Sequence, residues 1–311
     1  MTNVLSDSAP VLVSGATGKQ GGAVARALLK RGIPVRALVR DPASPGAKAL
    51  TELGATLQVA DLYDPASLLP AMDGVRAVFS VQTPDPAHER SERLHGRNLV
   101  AAAVRAGVPQ FVHSSVSGAG EYHRAAPGWA EGRWNVEYWE AKEFTADLVR
   151  TAGFSHWTIV QPTFFMENFL RPSLFFVNWT ESTLRMVLHA DTVQPLVAVE
   201  DIGTAVAAIV AEVGRFDGMD IRLAGDYLSM RDVAATLSEA WGEEIPAPSM
   251  SVADVLGSPL PGLPEEVTRG LINMQEWMNE VGDPARPRDC ASLGIRTTTL
   301  AEWARAVAAR T

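Results

Sequence analysis

A single cysteine in 311 residues, Cys290, excludes an internal disulfide and leaves stability to an apolar core. No histidine-bearing motif surrounds that thiol, so it reads as a small buried hydrophobe in a reducing compartment. No apolar run approaches the roughly 20 residues of a membrane-spanning helix. Residues 1–10 carry no basic start followed by a long apolar core, so no secretory signal is expected and the default location is the cytoplasm. Basic excess is missing too. Lys and Arg number 27 against 36 Asp and Glu, a net charge of −9, and there is no basic run, which disfavours direct nucleic-acid binding. The six histidines are scattered and HExxH is absent, so no metal is expected. A Gly-x-Ser-x-Gly elbow, the mark of many hydrolases, is also missing. No internal repeat or low-complexity tract appears.

What is present is a globular composition, 47% hydrophobic and 20% charged, long enough for one large or two moderate domains. Short apolar runs at 11–13, 35–39, 56–59, 77–81, 111–113 and 157–160 alternate with helical patterns. Those helices are expected over 20–30, 47–53, 66–72, 89–106 and 138–152. Strands that are apolar throughout are buried on both faces, and the alternation implies a parallel sheet with crossover helices. Gly32, Gly54, Gly107 and Gly153 punctuate the helix ends. The expected fold is therefore α/β, a Rossmann-type doubly wound parallel sheet over 1–162, with parts of 195–225 left open as its later elements. Residues 163–311 read as a smaller, mainly helical, substrate-binding region. Its helices are expected over 201–213, 230–241, 265–281 and 300–309, with a short strand at 221–224. Residues 245–264, rich in Pro, Ser and Gly, read as a loop or lid. The aromatics Phe164, Phe165, Phe169, Phe175, Phe176 and Trp179 could form core or an apolar pocket wall.

The spacing Gly15-x-x-Gly18-x-x-Gly21 falls between a strand and a helix. The first glycine allows the tight turn, the second close approach of a pyrophosphate, and the third close packing of helix on strand. Helix-start amides and the helix dipole would then hold the diphosphate of a dinucleotide. A Walker A loop does not fit, because Gly15 and Gly18 are too close and Gln20 stands where a magnesium-binding hydroxyl is needed. Arg40 closes the second strand about 20 residues on, where a carboxylate would hold the ribose of NAD. A guanidinium there favours the 2′-phosphate, so the expected cofactor is NADP(H). Asp41 tempers that selectivity, and Lys48 reads as solvated.

The run Gly15-Ala16-Thr17-Gly18-Lys19-Gln20-Gly21-Gly22 resembles the start of the NmrA-like family, within the atypical short-chain dehydrogenase/reductase superfamily. Ala37-Leu38-Val39-Arg40-Asp41-Pro42, Val59-Ala60-Asp61-Leu62, Phe165-Met166-Glu167-Asn168-Phe169 and Glu200-Asp201-Ile202-Gly203 are similar to its later segments, and Lys142, Gly153 and Pro162 keep its spacing. The resemblance implies NADP(H) in the cleft at the strand C-termini. It would place Thr17, Lys19 and Gln20 at the diphosphate, Asp61 and Leu62 by the adenine, and Thr83 beside the adenosine. Lys142 would reach the nicotinamide ribose, with Pro162 and Phe165 near the nicotinamide. Some relatives reduce quinones, imines, dyes or phenolics; others are silent redox sensors that bind a partner protein.

Short-chain reductases use Tyr-x-x-x-Lys with a serine. The i, i+4 spacing sets both side chains on one helix face, the lysine favours the phenolate, and the serine fixes the substrate carbonyl. Tyr138 and Lys142 have that spacing, and Ser114 and Ser115 end the fifth strand, so these four are the candidate catalytic residues. Many NmrA-like relatives keep the lysine without the tyrosine, so Tyr138 is a proton donor or an aromatic packing residue beside Trp134 and Trp139. His113 reads as a partly buried strand residue. His88, Glu89, Arg90, Glu92 and Arg93 read as the solvated face of a helix. The expected activity is hydride transfer from NADPH to a small apolar or aromatic carbonyl, quinone or imine. The alternative is a silent NADP(H) sensor with a protein partner, and a homo-oligomer is left open.

Overall fold

The computed structural model describes residues 8–85, 87–88 and 90–310. Alternation begins as the apolar runs dictate: β1 (Val11–Val13), α1 (Lys19–Lys30), β2 (Val35–Val39), α2 (Pro45–Glu52), β3 (Thr56–Val59), α3 (Pro65–Ala71), β4 (Ala77–Ser80), α4 (Ser91–Arg105) and β5 (Gln110–Ser114). There follow α5 (Glu121–Arg124), α6 (Val136–Thr151), β6 (His156–Pro162), β7 (Phe164–Phe165), β8 (Val193–Val197), α7 (Val199–Ala211), α8 (Val213–Phe216), β9 (Met219–Leu223) and β10 (Asp226–Ser229). Helices α9 (Met230–Trp241), α10 (Val252–Gly257), α11 (Glu265–Glu280), α12 (Pro287–Ser292) and α13 (Leu300–Ala308) complete the chain. Glu89, expected to open the fourth helix, lies outside the described residues.

Local chemistry explains the boundaries. Ser44 and Asp64 accept N–H bonds at the starts of α2 and α3, each followed by a proline whose φ suits the first helical position. Gly32, Gly54, Gly107 and Gly153 all take positive φ after their helices, as the punctuation predicts.

The chain forms two compact units. The first holds residues up to Ala119, Glu137–Gln161 and Val199–Ile221. Its sheet has seven strands in the order β3-β2-β1-β4-β5-β6-β9, and each neighbouring pair from β3 to β6 runs parallel. This is the strand order of a Rossmann-type fold, reversing between β1 and β4. Leu12, Val78, Phe111 and Ile159 pack on Leu68, Leu99, Ala146 and Val149 of α3, α4 and α6. The alternate strand residues Val11, Val13, Phe79 and Val112 are buried as well, which is why the runs carry no polar alternation. Helix α1 meets α7 at backbone distance, since a Cβ on Gly203 would lie 2.5 Å from the Ala23 carbonyl oxygen.

The second unit holds Gly120–Val136, Pro162–Ala198 and Arg222–Thr311. A three-stranded sheet, β10-β8-β7, was not expected beside its helices. Its core joins Phe169, Phe175, Phe176, Leu196, Val233, Leu237 and Trp303, so three of the six aromatics read as core or pocket wall are core. The expected loop at 245–264 contains α10, opened by a Ser251/Asp254 capping box. Cys290 is buried and forms no disulfide.

Candidate functional site

The glycine turn is held from below by Ser14. Its hydroxyl donates to the Val81 carbonyl (3.1 Å) and accepts from the Val81 N–H (2.9 Å), riveting the ends of β1 and β4 together. Above it, Gly15 has φ +58°, and a Cβ there would lie 2.9 Å from Val81 Cγ1. Gly21 is tighter still, because its Cβ would meet the Gly15 oxygen at 2.3 Å. Gly18 differs: a Cβ would find only the Gly15 oxygen, at 3.2 Å. The N-cap of α1 is Gly18, which has no side chain to accept from the first N–H groups of the helix.

Beside this turn a cleft of about 440 Å³ opens at the C-terminal ends of β1 to β4. Of the residues expected at a cofactor, Gly15, Thr17, Arg40, Asp61, Leu62 and Thr83 line it together. Gly18, Lys19, Gln20 and Gly21 lie at the start of α1 and are not among its walls. Pro162 and Phe165 belong to the second unit, Pro162 buried and Phe165 half-buried.

Sequence reasoning missed much of the cleft's far wall. Tyr63 donates from its hydroxyl to Asp85 Oδ2 (3.0 Å), and its ring meets His95 edge-on at 4.3 Å. The Ala87 N–H holds the Asp85 carboxyl below the usual range, helped by His88 and Tyr63. Burial first, and then the Asp85 carboxylate, push the Tyr63 phenol up. Burial lowers His95. The only sequence signal here was Tyr63 itself, one residue beyond the Asp61-Leu62 pair.

The candidate catalytic residues form a second group. Ser114 Oγ donates to Gln20 Oε1 (2.7 Å), and Ser115 Oγ donates to the Lys142 carbonyl (3.2 Å). The Lys142 ammonium donates to Glu92 and stands 5.9 Å from the centre of the Tyr138 ring. Tyr138 is half-buried and packs edge-on against Trp139. Glu92 corrects an expectation: it is not on a solvated helix face but buried, because the first turn of α4 points it toward α6 and the lysine supplies its counter-charge. His113 is fully rather than partly buried. Its Nδ1 lies 3.2 Å from Ser80 Oγ, which also accepts from Gln82 (2.7 Å). Burial, with the Lys142 cation adding, pushes the imidazole down to about 3, so it is neutral at physiological pH.

Among the described residues no helix is long and apolar enough to cross a membrane, and no group of His, Cys, Asp and Glu could hold a metal.

The model of the NmrA-like family matches residues 7–304. The chain is aligned with between 33% and 79% of the length of its curated relatives, an NmrA-like family domain-containing oxidoreductase of Aspergillus japonicus being 27% identical over 80% of this chain and 79% of its own. A NAD(P)H azoreductase of Xenophilus azovorans is 37% identical over 51% of this chain and 50% of its own. Among solved structures, an NADPH-dependent quinone oxidoreductase from Escherichia coli, complexed with NADPH, superposes with a TM-score of 0.75 at 24% identity, covering 96% of this chain and 99% of that one. NmrA, a negative transcriptional regulator solved with NADP, reaches 0.80 at 20% identity over 98% and 97% of the two chains. At these identities the superpositions show a shared fold.

Proposed function

The chain belongs to the NmrA-like family, and from that premise we propose that it is an NADPH-dependent oxidoreductase acting on an apolar or aromatic carbonyl, quinone or imine. The observation that carries the reading is the strand-end crevice. A glycine turn in which neither Gly15 nor Gly21 has room for a side chain opens at its edge, and Arg40, not a carboxylate, stands where β2 ends. The NADPH-bound quinone reductase and the azoreductase among its likenesses support it.

The residues present fit the dinucleotide. The uncapped start of α1 offers N–H groups and a dipole to a diphosphate, and Gly18 leaves the approach open. Gln20 spends its carbonyl on Ser114 and would donate its amide N–H to a phosphate oxygen. Thr17 and Lys19 would assist there, Arg40 would hold the 2′-phosphate, and Asp61, Leu62 and Thr83 would flank the adenosine. Lys142 would reach the nicotinamide ribose, and Pro162 and Phe165 would lie near the nicotinamide. Bound NADPH would supply a hydride to the electrophilic centre and leave as NADP⁺. The product's oxygen or nitrogen would take one proton from the Tyr138 hydroxyl or from solvent.

A steady-state screen with quinones, imines and aromatic ketones tests the reading. Turnover is expected, with NADPH bound roughly ten- to hundredfold more tightly than NADH and the preference lost in Arg40→Ala. Equal affinities would leave Arg40 merely solvated. Tyr138→Phe should keep NADPH binding and lower turnover by ~10²–10⁴-fold if the phenol is the donor. A full kcat assigns the proton to solvent.

A second reading, an NADP(H)-responsive regulator that binds a protein partner without turnover, is favoured by one observation. Ser114, Ser115 and Lys142 each already hold a partner within the nucleotide unit. Absence of turnover across the screen, with a partner that distinguishes NADP⁺ from NADPH, would establish it.

A further inference from the structure

The buried carboxylate of Glu92 has no part in the reading above, yet it is the acid bonded to Lys142. The two side chains are 8% and 14% exposed, so this pair lies in a medium where a lone charge is costly. Its geometry is set by the close packing of α4 on α6. A Cβ on Gly96 would lie 2.2 Å from Thr145 Oγ1, so α4 and α6 are pressed together there. Glu92 is four residues before Gly96 and Lys142 three before Thr145, so each stands one turn away on the face that makes the contact. The closest approach of the two helices therefore sets the span across which carboxylate and ammonium meet. Arg90, with φ +58°, starts α4, and Ser91 and Glu92 of its first turn are both buried. A carboxylate in a first turn is favoured by the helix dipole.

We infer that Glu92 is a positioning residue for Lys142: it anchors the ammonium and cancels its charge, so that the lysine serves a cofactor ribose as an aimed hydrogen-bond donor. An ammonium has three donors, and the carboxylate takes one of them. Glu92 from α4 and Tyr138 from its own helix face this ammonium, and its charge also reaches the buried His113 of β5. Glu92 thus supplies the compensating charge, and the Lys142 of this chain differs from a bare cation beside a phenol. The inference rests on the cofactor reading for what Lys142 serves, but not for how Lys142 is held.

Two measurements separate these parts. The chain has four lysines, of which Lys19, Lys30 and Lys48 are exposed. Acylation of the cofactor-free protein, followed by peptide mass spectrometry, should find Lys142 the slowest. Its rate should rise roughly tenfold or more in Glu92→Ala and much less in Glu92→Gln, whose amide oxygen still accepts from the ammonium. NADPH calorimetry should show roughly tenfold or greater weakening in Glu92→Ala, rescue in Glu92→Gln, and no further loss when Glu92→Ala is added to Lys142→Ala. Unchanged Lys142 labelling in a folded Glu92→Ala overturns the inference, as does a full-sized binding loss that persists without Lys142. A wild type that shows the labelling pattern but binds no NADPH supports the anchoring and overturns the cofactor reading instead.

Discussion

Gly21 and Gly18 occupy one motif but answer to different constraints. A Cβ on Gly21 would meet backbone atoms alone, the Gly15 oxygen at 2.3 Å and the Ser14 oxygen at 2.7 Å, so strand and helix would have to separate. Gly21→Ala should cost about 1–3 kcal/mol in urea unfolding, the usual scale of overpacking. Gly18→Val should keep most of that stability, since its Cβ meets little, while abolishing NADPH binding in calorimetry. Normal cofactor affinity in Gly18→Val would end the diphosphate assignment. His113 gives a pH dependence. Its folded value of about 3 lies below the ordinary 6.5, so the unfolded chain binds the extra proton between those limits. Stability should fall as pH drops from about 6.5 toward 3, by at most about 1.4 kcal/mol per pH unit from this residue. His113→Gln should flatten that slope in urea titrations at stepped pH; an unchanged slope would place the acid sensitivity elsewhere. The glycine spacing was legible in sequence because its partners are neighbours. Glu92 was not, because its lysine stands 50 residues away and a charged residue amid charged neighbours resembles a solvated face.

Among elements, those made by local chemistry were readable and those made by distant pairing were not. Helix α9 runs from a Ser229 cap to Gly242 at φ +68°, and its bounds match expectation. Strand β8 is Val-Gln-Pro-Leu-Val, and a proline argues against a strand; yet Pro195 sits opposite Tyr227 in the β8–β10 pair. Pairing with β10, about thirty residues on, and with β7, about thirty residues back, makes that segment a strand. The segment 245–264 was readable as irregular, but its restraint was hidden. The buried guanidinium of Arg185 donates to the carbonyls of Val255 and Ser258 (3.0 Å to the latter), closing the C-terminal end of α10. Burial pulls its pKa down, so these bonds hold a charge in poor solvent. Arg185→Met should keep the apolar stem and release the tether. Limited proteolysis should then cut within 245–264 much faster than in the wild type, at nearly unchanged global stability. Equal cutting rates would show that α10 is held by Val255 packing alone.

The molecule as a whole is less sequential than its strand order. The nucleotide unit takes residues up to Ala119, then Glu137–Gln161, then Val199–Ile221, so its last helix and strand arrive after an excursion into the second unit. A protein cut to residues 1–162 keeps the glycine turn and the cleft walls but lacks α7, against which α1 lies at backbone distance. That fragment should bind a hydrophobic dye that the full chain does not bind, and it should aggregate faster than the full chain. A monomeric, dye-silent fragment would mean that α7 is dispensable.

The same contact sets a timetable at the ribosome. Gly203 is made 180 residues after Ala23, by subtraction of their positions. At about 5–20 residues per second, α1 would wait roughly 9–36 seconds for its cover. For that interval the nascent nucleotide-binding half carries an apolar groove that chaperones, or a neighbouring nascent chain, can reach before its own helix does.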